Sequence, residues 1–240
     1  MRSCPVCSSE FANFLPLTSH YFEMLNQLEV TYSLEDFETL NTGQYGCPRC
    51  AASDRDRLYA LFVRTFLTRP HGRPLRILDI APAPLLSQFL RQIDDVEYRS
   101  ADLFSPLADD IVDIMDMNFY ADNSFDFIVC SHVLEHVPDD RKALRELYRV
   151  LNKNGVAILM VPILLTAQHT DEDPTETDVN VRWARFGQDD HVRMYAKHDY
   201  MARIREGGFE LLELDARSFG EGTFKRHGIT EQSVLYIGTK

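Results

Sequence analysis

Four of the five cysteines form two pairs with the same local sequence. Cys4-Pro-Val-Cys7 and Cys47-Pro-Arg-Cys50 both read C-P-x-C. The proline restricts the backbone of each turn, and two such turns supply the four thiolates of a tetrahedral, structural Zn²⁺ site. We therefore expect zinc to be bound by Cys4, Cys7, Cys47 and Cys50. The alternatives are reduced surface turns, or a redox motif, which needs a βαβ setting that neither pair has.

Acidic residues accompany three successive predicted strands. Asp79 lies within the first strand, Asp102 ends the second and Asp116 follows the third. In an open α/β sheet, ligands bind at the carboxyl ends of the strands, and an acid at the end of the second strand accepts hydrogen bonds from ribose hydroxyls. Asp102 fits that role, and Asp116 suits an adenine amino group. The pattern predicts a nucleoside-binding crevice.

Three histidines are candidates for a general base. His132 and His136 flank the end of a predicted strand, and we expect His191 to fold over the same opening. An imidazole titrates near neutral pH, which suits proton transfer. We rank His191 first among these candidates. The alternative for His136 is a structural role, in which it holds the loop where a helix begins. Arg193 is interpreted as a partner of an anionic acceptor or of the neighbouring acids.

The run His132-Val-Leu-Glu-His136 also has the H-x-x-E-H pattern of a class of zinc peptidases. That chemistry requires a helix that presents both histidines on one face. The run stands at a predicted strand-to-helix junction, so a zinc hydrolase is kept only as an alternative.

Strands and helices alternate over the main part of the chain, and this alternation predicts how the candidate residues are positioned. It is typical of an α/β, Rossmann-like, doubly wound and mostly parallel sheet with helices on both faces. Cys130 falls in a buried strand and is interpreted as a core residue. The predicted strands are 76–80, 96–102, 111–114, 125–131, 156–161, 209–214 and 233–239, and the predicted helices include 139–151 and 199–206.

The cysteine pairs lie in a smaller N-terminal unit. Between them, apolar residues at helical spacing predict two short core-facing segments, and an amphipathic helix follows Cys50. The run Arg69-Pro-His-Gly-Arg-Pro74 then breaks the helix. We therefore expect a zinc-ribbon-like segment with a linking helix over residues 1–70 and the α/β domain over residues 71–240. The polar stretch 166–188 is interpreted as a lid or acceptor loop.

Composition limits the classes of partner. The 240 residues include 37 acidic and 25 basic side chains, for a net charge of −12. Such a field repels phosphate backbones and anionic lipid, so we expect a small-molecule partner and neither nucleic acid nor membrane. The longest apolar run, 156–165, is interrupted by Pro162 and is shorter than the ~20 residues of a spanning helix. A cytoplasmic location is expected; the oligomeric state is not predicted.

One stretch resembles a known family. Residues 122–139, Asp-Asn-Ser-Phe-Asp-Phe-Ile-Val-Cys-Ser-His-Val-Leu-Glu-His-Val-Pro-Asp, together with Lys153-Asn-Gly155, resemble class I S-adenosylmethionine-dependent methyltransferases. A subgroup with N-terminal C-P-x-C turns is similar over nearly the whole chain. Its members carry Ala-Pro after the first strand, here Ala81-Pro82, and a Phe-Gly-Gln-x-Asp-His-Val-Arg block, here starting at Phe186.

The resemblance implies a fold, a cofactor and a reaction. The last strand is expected to be antiparallel, and S-adenosylmethionine is expected to supply a methyl group to an oxygen or nitrogen atom of a small or sugar-derived acceptor. Phe119 is placed against the adenine. The expected cofactor-binding residues are Asp79, Ala81, Pro82, Asp102, Leu103, Asp116, Met117 and Ser131.

The first loop departs from the family pattern. Glycines usually follow the first strand, where the backbone approaches the methionine part of the cofactor, whereas this chain has Asp79-Ile-Ala-Pro-Ala-Pro-Leu85. Proline removes a backbone donor and restricts φ. The alternative function is therefore a non-catalytic binding module with a methyltransferase fold and a degenerate cofactor loop.

Overall fold

The computed structural model describes residues 1–28, 30–66 and 72–240. The α-helices of these residues are α1 Ser19–Gln27, α2 Asp54–Phe66, α3 Pro84–Arg91, α4 Asp140–Val150, α5 Val179–Phe186, α6 Lys197–Glu206 and α7 Thr223–His227. The strands are β1 Arg2–Ser3, β2 Glu10–Phe11, β3 Leu75–Ile80, β4 Val96–Asp102, β5 Asp110–Ile111, β6 Phe125–Ser131, β7 Leu151–Met160, β8 Asp171–Glu172, β9 Arg193–Met194, β10 Glu210–Leu214 and β11 Leu235–Thr239.

A seven-stranded sheet forms the centre of the molecule, in the order β10-β11-β7-β6-β3-β4-β5. The five strands from β7 to β5 run parallel, and β11 is antiparallel to both β7 and β10. The predicted Rossmann-like, mostly parallel sheet with an antiparallel last strand is confirmed. The chain moves outward from β3 to β5 and then returns to β6 beside β3, so the strand order reverses between β3 and β6.

The central strands are apolar because both faces of the sheet are covered. All but the last residue of β6 are buried, including Cys130, as expected for a core residue. Helix α2 packs against α3, and α4 packs against α6. Right-handed crossovers on either side of the reversal place α3 and α4 on opposite faces of the sheet.

Several element boundaries differ from the expected ones, each for a local reason. Helix α4 begins after Asp139, which caps it by accepting a hydrogen bond from the Lys142 backbone at 2.8 Å. Strand β7 begins at Leu151, directly after α4, and not at Val156. Strand β5 ends at Ile111. Residues 166–188, read as an irregular polar stretch, contain α5, whose cap is the Asp178 side chain.

The N-terminal segment packs directly on the α/β domain. Leu25, Leu34 and Phe37 share one hydrophobic cluster with Phe186 and Met194. The predicted boundary near residue 70 lies outside the described residues, so the division into units at 70 and 71 stays a prediction. Within residues 1–28, 30–66 and 72–240, no helix combines the length and the apolar character needed to cross a bilayer.

Candidate active site

Two neighbouring cavities lie at the carboxyl ends of β3 and β6. The inner cavity is lined by Asp79, Ala81 and Ser131 at the ends of these strands. The outer cavity lies between the N-terminal segment and the region around Phe186. Arg55 and His132 line both cavities, so these two side chains lie between them.

Asp79 is the buried acid of the inner cavity. Its side chain is 1% exposed, and Oδ2 accepts a hydrogen bond of 2.6 Å from the Tyr98 hydroxyl, whose oxygen lies 2.8 Å from the Ser87 hydroxyl. Burial raises the pKa of Asp79 to about 7, against the lowering effect of the Tyr98 hydrogen bond. The carboxyl group therefore titrates near neutral pH and responds to a cation placed beside it.

The first loop tolerates its prolines. Ala81 has a φ of +48°, in the left-handed region that glycine usually occupies, and its backbone N–H donates to the Ala101 carbonyl at 2.8 Å. Pro84 is the first residue of α3, where the missing N–H costs no helical hydrogen bond. Pro82 is half-buried and Ala83 lines the inner cavity. The loop thus keeps an open cavity without glycine.

The acids beyond β4 and β5 are distributed differently from the expected pattern. Asp102 ends β4, and its Oδ1 accepts hydrogen bonds from the backbones of Phe104 and Ser105, both at 2.7 Å. Because β5 ends at Ile111, the acid that follows it is Asp113, and the Val112 N–H bonds to the Asp102 carbonyl. Asp113 therefore lies beside the end of β4.

Asp116 lies on a separate, exposed depression with Lys142 and Arg145. Met117 is fully buried, Leu103 is 45% exposed and Phe119 is 67% exposed. The structure thus brings Asp79, Ala81 and Ser131 together in the inner cavity and places Asp116 elsewhere. The cofactor roles assigned to these residues stay predictions.

Of the three candidate histidines, His132 lies at the junction of the cavities. It follows β6 directly, with a φ of +57°, and its backbone N–H donates to the Met160 carbonyl. Its Nδ1 lies 3.1 Å from Glu135 Oε1. Burial, together with the nearby Arg55 guanidinium, lowers the pKa of His132 to about 4, so the ring is neutral at pH 7.

His191 and His136 each contact a neighbouring loop, and their roles as bases stay predictions. His191 is 4% exposed, reaches the wall of the outer cavity and has its Nδ1 2.9 Å from the Phe186 carbonyl. His136 Nδ1 lies 3.3 Å from Asp190 Oδ2. The run from His132 to His136 forms a turn between β6 and α4, so the helix that the peptidase alternative needs is not formed there.

Arg193 is a structural residue of the same loop. It is 1% exposed, donates to the carbonyls of Leu134, Val137 and Pro138, and pairs with Glu172 at 3.2 Å. These contacts occupy the guanidinium, so it holds the turn after β6 in place, and neither Asp189 nor Asp190 is its partner among the ion pairs of the described residues.

The outer cavity takes one wall from the N-terminal segment. Tyr21, Phe37 and Tyr45 line it opposite Phe186 and Ile163. The space between these side chains is about 710 Å³, including the part open to solvent. The region between the cysteine pairs thus shapes a cavity of the α/β domain.

The four paired cysteines converge in two equivalent turns. Cys4 Sγ lies 3.8 Å from Cys50 Sγ, and Cys7 Sγ lies 3.9 Å from Cys47 Sγ. In each turn the backbone folds back on its first cysteine, through hydrogen bonds from Ser8 to Cys4 and from Ala51 to Cys47. The four sulfur atoms are within 4.8 Å of one another and form no disulfide, which fits a tetrahedral thiolate site.

Comparison with known proteins agrees with this geometry. A family model described as a methyltransferase domain matches residues 75–159, from β3 through most of β7. An uncharacterized methyltransferase of Bacillus subtilis, YcgJ, is 32% identical over 83 residues, which are 35% of this chain and 30% of that protein. The chain thus matches less than a third of the curated relative's length.

Solved structures support the fold. The structure named as the [4+2]-cyclase SpnF is similar with a TM-score of 0.52 and 15% identity, over 95% of this chain and 97% of that chain. The structure of YcgJ from Bacillus subtilis is similar with a TM-score of 0.46 and 17% identity, over 75% of this chain and 96% of that chain. At 15% identity, the likeness to SpnF concerns architecture alone.

Two residues of the site were not singled out in the sequence. Asp113 follows the apolar pair Ile111-Val112, and a third strand predicted to end at Ile111 would have selected it in place of Asp116. Arg55 belongs to a charged run, Asp54-Arg-Asp-Arg57, that reads as the polar face of an amphipathic helix. Nothing local distinguishes Arg55 from its neighbours, because its role depends on how α2 packs against the strand ends.

Proposed function

We propose that this protein is an S-adenosylmethionine-dependent methyltransferase that methylates an oxygen or nitrogen atom of a small molecule. One observation carries the proposal. The residues that match a methyltransferase domain, 75–159, contribute Asp79, Ala81, Ser131 and His132 to the inner cavity, at the point where the strand order reverses. That point is where open α/β sheets bind nucleotides.

The inner cavity offers groups of both charges for the methionine part of the cofactor. Among the described residues, no carboxylate lies within ion-pair distance of the half-buried Arg55 guanidinium, so it is free to bind the cofactor carboxylate. Asp79 faces the same cavity and suits the α-ammonium group. The cofactor itself supplies an activated methyl on its sulfonium, and the protein supplies position and a dry site.

Two acids suit the nucleoside part of the cofactor. Asp102 keeps Oδ2 outside its loop hydrogen bonds, which engage Oδ1, and this oxygen suits the ribose hydroxyls. Asp113, next along the same edge, replaces Asp116 in our proposal as the acceptor for the adenine amino group. Its Oδ1 accepts from the Met115 backbone at 2.8 Å, so Oδ2 remains for the ligand.

The outer cavity is the proposed acceptor site, and His132 is the proposed base. Because Nδ1 lies 3.1 Å from Glu135 Oε1, Nε2 of His132 is the atom that would take the proton of the acceptor as the methyl group is transferred. The aromatic walls contributed by Tyr21, Phe37 and Tyr45 favour a planar or apolar acceptor. We propose that zinc on the four cysteines is structural and stabilises the segment that carries these walls.

Titration calorimetry with S-adenosylhomocysteine tests the proposal. The wild-type protein should bind it with micromolar or tighter affinity. Arg55→Met should lose at least ~10-fold, because a charge-assisted pair contributes about 1.5–3 kcal/mol. Arg205→Met, an exposed arginine on α6, is the matched control and should leave the affinity unchanged.

Asp102→Asn sharpens the test, because asparagine retains Oδ1 for the loop hydrogen bonds and removes the charge. It should weaken binding of the same ligand without loss of the fold, which the circular dichroism spectrum checks. A wild-type protein that is folded and does not bind S-adenosylhomocysteine would overturn the proposal and favour the non-catalytic binding module.

A further inference from the structure

Glu135 is a buried carboxylate without a hydrogen bond. The residue is 0% exposed, and neither Oε1 nor Oε2 has a hydrogen-bond partner within the described residues. A buried charge left in this state is costly unless a cation or several donors compensate it. His132 Nδ1 approaches Oε1 at 3.1 Å without the alignment of a hydrogen bond. The environment of Glu135 is therefore electrostatically incomplete.

The hydrogen bonding of His191 makes this environment more unusual. Its Nδ1 lies 2.9 Å from the Phe186 carbonyl, and a carbonyl oxygen only accepts, so Nδ1 carries the hydrogen. In the neutral ring, Nε2 then has a lone pair. That lone pair belongs to the atom 4.0 Å from Glu135 Oε1. Two electron-rich atoms share a buried space, and a cation between them would satisfy both.

His136 completes a set of three. One ligand atom each from Glu135, His136 and His191 lies within 4.8 Å of the others. His136 Nδ1 faces Asp190 Oδ2 at 3.3 Å, which leaves its Nε2 for a ligand. A second hydrogen bond that orients a histidine is typical of metal ligands. Metal–ligand bonds of about 2.0–2.2 Å need only a modest approach of these atoms.

We propose that Glu135, His136 and His191 bind a divalent transition-metal ion, and we call them the carboxylate–histidine cluster. Two imidazoles and one carboxylate suit Zn²⁺, Mn²⁺, Co²⁺ or Fe²⁺ better than Mg²⁺ or Ca²⁺, which prefer oxygen ligands. Three protein ligands leave coordination positions open, as in catalytic sites. Because His191 lines the outer cavity, the open positions face the proposed acceptor site.

The position of the ion beside the outer cavity indicates a class of substrate. This part of the inference rests on the proposed function. The ion would bind an acceptor through two neighbouring oxygens, as in a vicinal diol or a hydroxy-carbonyl compound. Coordination lowers the pKa of a hydroxyl group. The hydroxyl proton passes to His132, the oxygen forms the bond to the methyl carbon, and the cofactor sulfur leaves as a neutral thioether.

Electron paramagnetic resonance of Mn²⁺ tests the site without any enzymatic assay. The full-length protein is treated with EDTA under conditions that retain the thiolate-bound zinc, and Mn²⁺ is then titrated. We expect one tight site per chain. Glu135→Gln and His191→Gln should each weaken binding by about 10–100-fold or more. His198→Asn is the control, since it alters the exposed group His169, His198 and Asp199 and should change nothing.

The outcomes separate this inference from the proposed function. No stoichiometric Mn²⁺ or Co²⁺ binding by folded wild-type protein, or equal binding by Glu135→Gln, would overturn the metal site. Retained S-adenosylhomocysteine binding in that case would leave the methyltransferase proposal intact. Metal binding without S-adenosylhomocysteine binding would refute the methyltransferase and keep the metal centre.

The substrate class has a test of its own. Catechol should change the visible absorption of the Co²⁺-loaded protein, and resorcinol, whose hydroxyls are not adjacent, should not. Equal responses to both compounds would exclude chelation by neighbouring oxygens.

Discussion

Two clusters of metal-binding residue types among the described residues, the four paired cysteines and the carboxylate–histidine cluster, are encoded differently. The four cysteines occur as two local turns with the same sequence, and each turn folds back on its own first cysteine. The carboxylate–histidine cluster joins Glu135 and His136, in the turn after β6, to His191, more than fifty residues later in the chain. The first cluster depends on local geometry, whereas the second exists only once the chain has folded.

The clusters also differ in what surrounds them. The cysteine cluster has four ligands and packs with Phe14 and Ala52, so it offers no position to a substrate. The carboxylate–histidine cluster has three ligands and lies against the outer cavity. A closed cluster is expected to determine stability, and an open one is expected to determine reactivity.

The largest expected effect is loss of the cysteine cluster. Cys47→Ser should abolish stoichiometric zinc and lower the melting temperature by about 10 °C or more, because structural zinc binding contributes folding free energy directly. Atomic absorption and calorimetry check both values. Cys130→Ala, which removes a buried thiol from β6, is the control and should retain one zinc per chain. Full zinc content in Cys47→Ser would contradict the contrast.

A smaller but still large effect is expected at Arg57, which connects the cysteine turns to the C-terminal part of the chain. Its guanidinium is buried and donates to the backbone carbonyls of Gln44, Tyr45, Ala52, His227 and Gly228. Arg57→Met should cost about 3–5 kcal/mol of unfolding free energy, because five buried acceptors lose their donor.

Urea denaturation measures the effect of Arg57→Met. Arg217, whose side chain is 93% exposed, supplies the control, and Arg217→Met should change the unfolding free energy by less than about 0.5 kcal/mol. Comparable losses in the two variants would show that the cysteine unit is not held through Arg57.

The same contrast explains what could be predicted from the sequence. The apolar strand Phe125–Ser131 was predicted with its exact bounds, because hydrophobic runs and turn residues act locally. The cysteine site was also expected, since spacing alone brings each pair together. The preference for His191 over His132 as a base stays a prediction, and it had no such support in the sequence because it depends on which side chain lines the cavities.

Helix α5 and Arg55 show why some features of the structure could not be predicted from the sequence. Residues 166–188 are polar, yet they form α5 because Trp183 and Phe186 bury against the N-terminal segment. Tertiary packing therefore decides the local structure there. Arg55 reads as one charge among several on a helix, and only the packing of α2 against the strand ends directs it to the cavities.

A pH-dependent effect of intermediate size is expected at Asp79. Since burial raises its pKa to about 7, the folded state holds this proton more tightly than the unfolded state. The unfolding free energy should therefore fall as the pH rises from about 4 to about 7. Asp79→Asn removes this dependence, so the variant should gain about 3 kcal/mol relative to wild type between pH 5 and pH 8.

Urea denaturation of both proteins at pH 5 and pH 8 measures that gain. Asparagine still accepts the Tyr98 hydrogen bond, so packing is conserved. A difference between variant and wild type that is the same at both pH values would mean that Asp79 is ionised in the fold throughout this range.

The smallest expected effect is on ligand binding at Asp113, and it tests whether position in the fold or position in the sequence identifies the binding residue. Asp113 and Asp116 are three residues apart, and both follow the third strand in the sequence, but only Asp113 lies beside the end of β4. Asp113→Asn should weaken binding of S-adenosylhomocysteine by about 10-fold, which corresponds to about 1.4 kcal/mol for one charged hydrogen bond.

Asp116→Asn is the matched change at the exposed depression with Lys142, and it should leave the affinity within a factor of about two. Both variants keep Oδ1, which accepts the Met115 N–H in Asp113 and contacts Asn118 in Asp116, so loop structure is conserved in each. The reverse result, a loss in Asp116→Asn alone, would mean that the adenine lies toward α4. In that case the spacing of acids in the sequence would locate the nucleoside better than the ends of the strands do.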